Sequence, residues 1–469
     1  MDKRYLFGLG GAGVASVLIL ALVLGEGLIH GGEEKIVIID FDCEKAAEHV
    51  RQLCSNGPRM SGSPEEYQGA LYIESQFKDA GLSDVHMESF PVPMFKVHSA
   101  SMELVEYYPM GNLPRPMGDH IRIEHITEFV LQGYSGSLQW RDFRDDMSVV
   151  NVGDGTDPGS FSRARGAACL IEQTSDTPPN SEIYFQAYEQ GALAIILQNC
   201  FRGESIGYLP MFKTNQNPIE YEEYPDIPFM MVSKAAGDLI LERTSGNYRL
   251  RMDIDVEIGN FDIHVVVGDI PARGGSEDMM VFTAHHDTCY NTMGAIDNTV
   301  GPATLIEMAR EMAKDKYSYG RTIRFCTVGG EEEGLYGSTW YYDSHREELE
   351  KRVRMVMNFD MAHADRDSMS VGMVSNCNDT ISDLEDIRGA LLSSDPELKA
   401  YTINIGYDPL DIKYSDYWSF VNGGSAGVAA WGSGCEEYHT YLDDLEHLNA
   451  ESLQVEARIL GTYALMASG

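Results

Sequence analysis

Positive charge is what this chain has least of. Thirty-five Lys and Arg stand against 73 Asp and Glu, for a formal net charge of −38 at pH 7. Phosphate contact needs clustered Lys and Arg, so the balance speaks against a nucleic-acid-binding surface. It fits a solvated acidic exterior. The eight cysteines, at positions 43, 54, 169, 200, 289, 326, 377 and 435, include no CxxC pair, and a cysteine-based zinc site is therefore not indicated. Internal repeats and low-complexity linkers are missing as well. Long hydrophobic runs are confined to one uncharged stretch, Tyr5 to Gly25. As a helix it would be about 30 Å long, the thickness of a bilayer core. Lys3 and Arg4 precede it and Glu26, Glu33 and Glu34 follow. The expectation is a transmembrane helix within residues 1–30 and a single-pass protein of the cell membrane with its body outside the cytoplasm. Secretion after signal cleavage is the alternative.

The rest of the chain has ordinary apolar content, enough for two or three domains at this length. Residues 42–125 begin with helical spacing from Cys43 to Cys54, placing Ala46, Val50 and Leu53 on one side. The turn GPRMSGSPEE follows, and Ser63-Pro64-Glu65-Glu66 starts a second helix that should run to about Asp79. Val85 to Val92 alternates as a strand. Residues 126–255 differ: short strands and glycine-rich turns suggest a compact β-rich module with few helices, inserted into another domain. Residues 256–469 alternate apolar strands with helices, which implies a layered α/β sheet sandwiched by helices. In such sheets, sites gather at the carboxyl ends of the strands.

Polar groups recur at those ends. Ala284-His285-His286-Asp287 closes one strand. Gly294-Ala295-Ile296-Asp297-Asn298 opens a helix. Glu331-Glu332-Glu333-Gly334 and Asn358-Phe359-Asp360 follow two further strands, and Tyr438-His439-Thr440 lies near the C-terminus. Each piece alone has an ordinary explanation. A Glu triplet in so acidic a chain is usually solvated, a lone His is usually a hydrogen-bonded loop residue, and Asp297 could cap a helix. Together, two His, two Asp and a Glu meet at one edge of one sheet, and imidazole with carboxylate is a donor set suited to Zn²⁺ at an open catalytic site.

The order His-x-Asp, Gly-Ala-x-Asp-Asn, Glu-Glu-x-Gly, Asn-x-Asp, Tyr-His-Thr resembles that of the co-catalytic di-zinc aminopeptidases and glutamate-carboxypeptidase-like metallopeptidases. The segment GALAIILQN resembles part of the protease-associated (PA) domain inserted in such enzymes, and GPRMSGSPEE resembles their usual start. The resemblance implies a mixed sheet of the zinc-exopeptidase type with an inserted PA-like domain, and two zinc ions. It assigns His285 and Asp360 to one ion, Glu332 and His439 to the other, and Asp297 to both. Glu331 would be the general base, Asp287 the residue that orients His285, and Tyr438 a stabiliser of the oxyanion. His286, Cys289 and Tyr290 depart from the family pattern, and Ser415-Asp416 resembles a family Ser-Asp pair.

The implied activity is zinc-dependent hydrolysis of peptide bonds, most directly the removal of N-terminal residues from peptides. A carboxypeptidase or dipeptidase of the same family is the main alternative. Carboxypeptidases hold a substrate carboxylate with basic residues, which are scarce near these motifs. A one-zinc acyltransferase resembling glutaminyl cyclase and an inactive receptor-like relative are further alternatives. The full set of five ligands, with Glu331 beside them, argues against both.

Overall fold

The computed structural model describes residues 36–110, 113–214, 225–433 and 435–467. Helix formation at the start of this region follows local sequence closely. The helix Cys43–Cys54 is capped by the Asp42 side chain, which accepts from Lys45 N, and it buries Ala46, Ala47, Val50, Leu53 and Cys54. The helix Pro64–Asp79 is capped by Ser63, whose hydroxyl accepts from Glu66 N, with proline at its first position. Gly81, at φ +83°, takes the left-handed turn that follows.

Fourteen strands come next among the described residues, in chain order: β1 (Ser83–Met110), β2 (Leu113–Ile123), β3 (Phe129–Leu131), β4 (Val149–Asn151), β5 (Ala168–Glu172), β6 (Ala194–Gln198), β7 (Phe229–Val232), β8 (Tyr248–Ile270), β9 (Met279–His285), β10 (Thr322–Val328), β11 (Val353–Phe359), β12 (Ser370–Ser375), β13 (Thr402–Tyr407) and β14 (Ala426–Gly432). Nine of them form a mixed sheet in the order β13-β12-β14-β11-β9-β10-β8-β1-β2. Its centre, β14-β11-β9-β10, is parallel, and β8, β1 and β2 add antiparallel on one side. Strands β9 and β10 are buried along their whole length, as expected of parallel strands covered on both faces. The helix Val300–Met312, which reads as amphipathic, buries every residue but Arg310. It packs against the sheet and against both Cys43–Cys54 and Pro64–Asp79, the latter also lying on β8.

The five remaining strands form a second sheet, β3-β7-β6-β5-β4, parallel except for β3. Both sheets belong to one unit, Val37–Gly469. The long strands β1 and β8 join them: their outer halves, through Met102, Leu104, Leu250 and Met252, share a core with Phe129, Leu170, Ile196 and Met230 of the second sheet. All eight cysteines are unpaired.

One expectation needs correcting. Among the described residues no helix is long and apolar enough to cross a membrane, which overturns the reading of a single-pass membrane protein. The longest of these helices, Asn378–Ser394, has 17 residues and buries only Thr380, Leu384, Ile387 and Leu391. That is a length of about 25 Å with one apolar stripe, the pattern of a surface helix in water. The stretch Tyr5 to Gly25 lies outside the described residues.

Candidate metal centre

Parallel strands all point their carboxyl ends one way, so β14, β11, β9 and β10 deliver their following loops to one edge of the sheet. Connections leave β9 toward β10 on one side and return to β11 on the other, which opens a crevice there. His285 is the last residue of β9, Glu331 and Glu332 follow β10, Asp360 follows β11, and His439 lies beyond β14. Asp297 comes from the turn Ala295–Thr299 that leads into the helix Val300–Met312.

The geometry centres on the Asp297 carboxylate. His285 Nε2 is 3.4 Å from its Oδ1 and His439 Nε2 is 3.1 Å from its Oδ2. His285 Nε2 also lies 3.4 Å from Asp360 Oδ1 and 4.0 Å from Glu331 Oε2. His439 Nε2 lies 3.0 Å from Glu332 Oε2. Yet His439 Nε2 and Glu332 Oε1 are buried without a hydrogen-bond partner. Among the described residues the donor atoms crowd together in two groups, His285 with Asp297 and Asp360, and Cys289 with Glu332 and His439; within each, the donor atoms lie within 4.8 Å of one another. The residues therefore offer divalent cations imidazole nitrogen, carboxylate oxygen and, in the second group, a thiol sulfur.

Each ligand-type side chain is oriented from behind. His285 Nδ1 faces Asp287, 3.2 Å from its carbonyl and 3.4 Å from Oδ1, which turns Nε2 inward. The Asp287 carboxylate accepts from Ser61 Oγ at 3.0 Å and from the backbone N–H groups of Glu331 and Glu332 at 3.3 and 3.2 Å. His439 Nδ1 donates to the Phe212 carbonyl at 2.8 Å, a partner from the loop before β7. Asp443 accepts from Ile296 N at 2.7 Å and Asp297 N at 2.9 Å, fixing the turn that carries Asp297. Asn298 ties the same turn to the end of β11 by donating to the Phe359 carbonyl at 2.8 Å. Arg59, fully buried, donates from Nε to the His286 carbonyl at 2.9 Å and from its backbone N to Thr288 Oγ1 at 2.8 Å. The GPRMSGSPEE turn thus braces the loop after β9.

Electrostatics follow from burying so much like charge. Burial raises the Glu331 carboxyl well above the usual range, and the charges of Asp360 and Glu332 push the same way, against the lowering effect of His285. Burial works against a charged imidazole at His285, but the surrounding carboxylates, Glu331 and Asp360 first, lift it well above its ordinary value. Burial also opposes ionisation of Asp297, yet the close approach of His285 and His439 brings it below the ordinary range. A cation placed among these groups would favour the ionised carboxylates and the neutral imidazoles.

All eight residues singled out by sequence therefore meet at this edge: His285, Asp297, Glu332, Asp360, His439, Glu331, Asp287 and Tyr438. The Tyr438 ring stacks on His439 with centroids 3.7 Å apart, and its hydroxyl accepts from Lys213 Nζ at 2.7 Å. His286, which departs from the family pattern, turns away from the centre and pairs with Glu66 Oε1 at 3.0 Å; His264 Nδ1 donates to the same carboxylate at 2.7 Å. Tyr290 also turns away, its hydroxyl accepting from Leu131 N at 2.7 Å. Ser415 accepts from Asn358 Nδ2 at 2.8 Å. Sequence reasoning missed Ser61, Phe212, Lys213 and Asp443. Ser61 and Asp443 lie near recognised motifs, but one polar residue in an acidic chain carries no mark of its own. Phe212 and Lys213 come from the segment read as accessory.

Residues 265–464 match the description "Peptidase family M28". The chain is 26% identical over 431 residues to aminopeptidase YwaD of Bacillus subtilis, covering 89% of this chain and 83% of that protein. It is 29% identical over 358 residues to an aminopeptidase of Pseudomonas aeruginosa, covering 68% of this chain and 58% of that one. Among solved structures it is similar in fold to a zinc aminopeptidase from Bacillus subtilis, with a TM-score of 0.69 at 21% identity over 92% of this chain and 96% of that one. It is similar also to a peptidase M28 precursor from Shewanella amazonensis, with a TM-score of 0.68 at 18% identity over 91% and 93%.

Proposed function

From the match of residues 265–464 to peptidase family M28, we propose that the chain is a zinc-dependent aminopeptidase that removes N-terminal residues from peptides with two zinc ions. The observation that carries the reading is the single Asp297 carboxylate set between His285 and His439, one oxygen toward each. In this reading His285 and Asp360 hold one ion, Glu332 and His439 the other, and Asp297 both. The bound ions supply the Lewis acid that makes water acidic near neutral pH and polarises the substrate carbonyl.

The protein's own groups do the rest. Glu331 takes a proton from water and returns it to the leaving amine, a role suited to a carboxylate that stands beside the ligand groups, 4.0 Å from His285 Nε2. Asp287 holds the His285 ring in the tautomer that presents Nε2. As an ammonium, Lys213 donates to the Tyr438 hydroxyl, which leaves the tyrosine's own proton for a developing oxyanion. The acidic surroundings favour a substrate's free α-ammonium. We further read residues 126–255 as a PA-like insertion, which supports the centre through Phe212 and Lys213.

The test is a substrate panel with purified, zinc-supplied protein. Amino-acid amides and free peptides are expected to lose their N-terminal residue, peptides with an amidated C-terminus to be cleaved as well, and N-acetylated peptides to be inert. Release of C-terminal residues from N-acetylated peptides, with amino-acid amides untouched, would reverse the assignment of the end recognised.

A further inference from the structure

One member of the second donor group is not used by the reading above. Cys289 lies four residues beyond His285 and is fully buried. Its sulfur, Glu332 and His439 offer donor atoms within 4.8 Å of one another. The other buried thiols contrast with it. Cys169 lies within β5 and Cys326 within β10, each packed in an apolar core, and Cys54, also packed in a core, donates to the Thr299 hydroxyl at 3.6 Å with no metal-type donor group around it among the described residues. Cys289 also touches the apolar core, but its polar neighbours set it apart: Glu332 Oε1 and His439 Nε2, both on residues more than nine-tenths buried, have no hydrogen-bond partner. The sulfur thus stands among ligand-type atoms, a carboxylate and an imidazole, that belong to the metal centre. The loop that presents the sulfur is fixed, since Thr288 N donates to the Arg59 carbonyl at 3.2 Å while Thr288 Oγ1 accepts from Arg59 N.

We propose that Cys289 is a ligand of the ion held by Glu332 and His439, binding it as a thiolate. The proposal rests on the two-metal reading and extends it. On binding, the S–H bond is lost, its proton passes to solvent, and a sulfur–metal bond of about 2.3 Å forms, with no change in oxidation state. The consequence is asymmetry between the two positions. Cys289, Glu332, His439 and Asp297 make four protein donors, enough to complete a tetrahedron. His285, Asp360 and Asp297 make three, which leaves room for water and substrate. The sulfur also makes its position the softer one, biased toward Zn²⁺ over Mn²⁺ or Mg²⁺.

The experiment strips the full chain of metal with a chelator and reloads it with Co²⁺ as a spectroscopic probe. The intact protein is expected to show an intense near-ultraviolet sulfur-to-cobalt charge-transfer band beside the visible cobalt bands. Cys289→Ser is expected to lose that band while keeping the visible ones, and to weaken one of two Co²⁺ binding steps about 10-fold or more. Cys289→Ala supplies the same comparison if the serine variant folds poorly. Visible cobalt bands with no charge-transfer band in the intact protein, or a band that survives in both variants, overturn the thiolate and leave the two-metal reading standing. Failure to bind Co²⁺ at all overturns both.

Discussion

Glu331 and Glu332 are neighbours in sequence with different partners in space. Glu332 sits 3.0 Å from His439 Nε2, while Glu331 reaches no closer than 4.0 Å to His285. Glu331→Gln is therefore expected to lower kcat by about 10²–10⁴ with zinc content unchanged in metal analysis. Glu332→Gln should lose metal along with rate, and the reverse pattern would exchange their roles. Asp443 is tested in the same way. Asparagine in its place offers one acceptor to two backbone donors, Ile296 N and Asp297 N, so Asp443→Asn should weaken metal affinity by about 10–100-fold, read by competition with a chromophoric chelator. These two glutamates also mark the limit of residue-level reading. In so acidic a chain the triplet Glu331-Glu332-Glu333 resembles solvated surface, and only its order among the other motifs identifies it. Nothing local announces Asp443 or Lys213, because their roles depend on contacts across 146 and 225 positions of sequence.

At the scale of elements, the centre depends on short turns that follow strands. Gly294 adopts φ +57°, and a Cβ there would stand 2.4 Å from the Asp297 carbonyl and 2.4 Å from Thr288 Cγ2. The strain is more than conformational, because backbone and a braced side chain must both move. Gly294→Ala is expected to lower Tm and to displace Asp297, so that zinc is lost before the fold is; unchanged metal content at unchanged Tm would show that the turn adapts. Much of this level was legible. The helices Cys43–Cys54, Pro64–Asp79 and Lys234–Thr244 announce themselves by periodicity and caps. The alternation of strands and helices after 256 foretells parallel strands whose ends converge. What was not legible is the reach of β1 and β8, 28 and 23 residues long. Each passes from one core to the other, and its pattern of burial changes along the way, so no single period describes it.

For the molecule as a whole, the difficulty is negative charge gathered in a place without water. Besides the groups facing the metal positions, burial raises further carboxyls, among them Asp443 and Asp416, each from an ordinary 3.8 to about 7. The sign follows from linkage. A carboxyl with a folded-state pKa above its unfolded one favours folding in its neutral form. That contribution is complete below the unfolded value of 3.8 and is lost as pH rises through the folded value of about 7. Glu331, raised by the same burial, acts in the same direction. Metal-free protein should therefore lose stability between about pH 4 and 7 from these groups. Bound zinc opposes the loss twice: it favours neighbouring carboxylates in the ionised form, and its own binding strengthens as the ligands lose their protons. The gap in Tm between zinc-loaded and chelator-treated protein is expected to widen with pH, being small at pH 5 and reaching about 5 °C or more at pH 7.5. Scanning calorimetry at the two pH values measures it directly. A gap of the same size at both would mean that these buried carboxyls are ionised with or without metal, and that the fold stabilises them by its own hydrogen bonds.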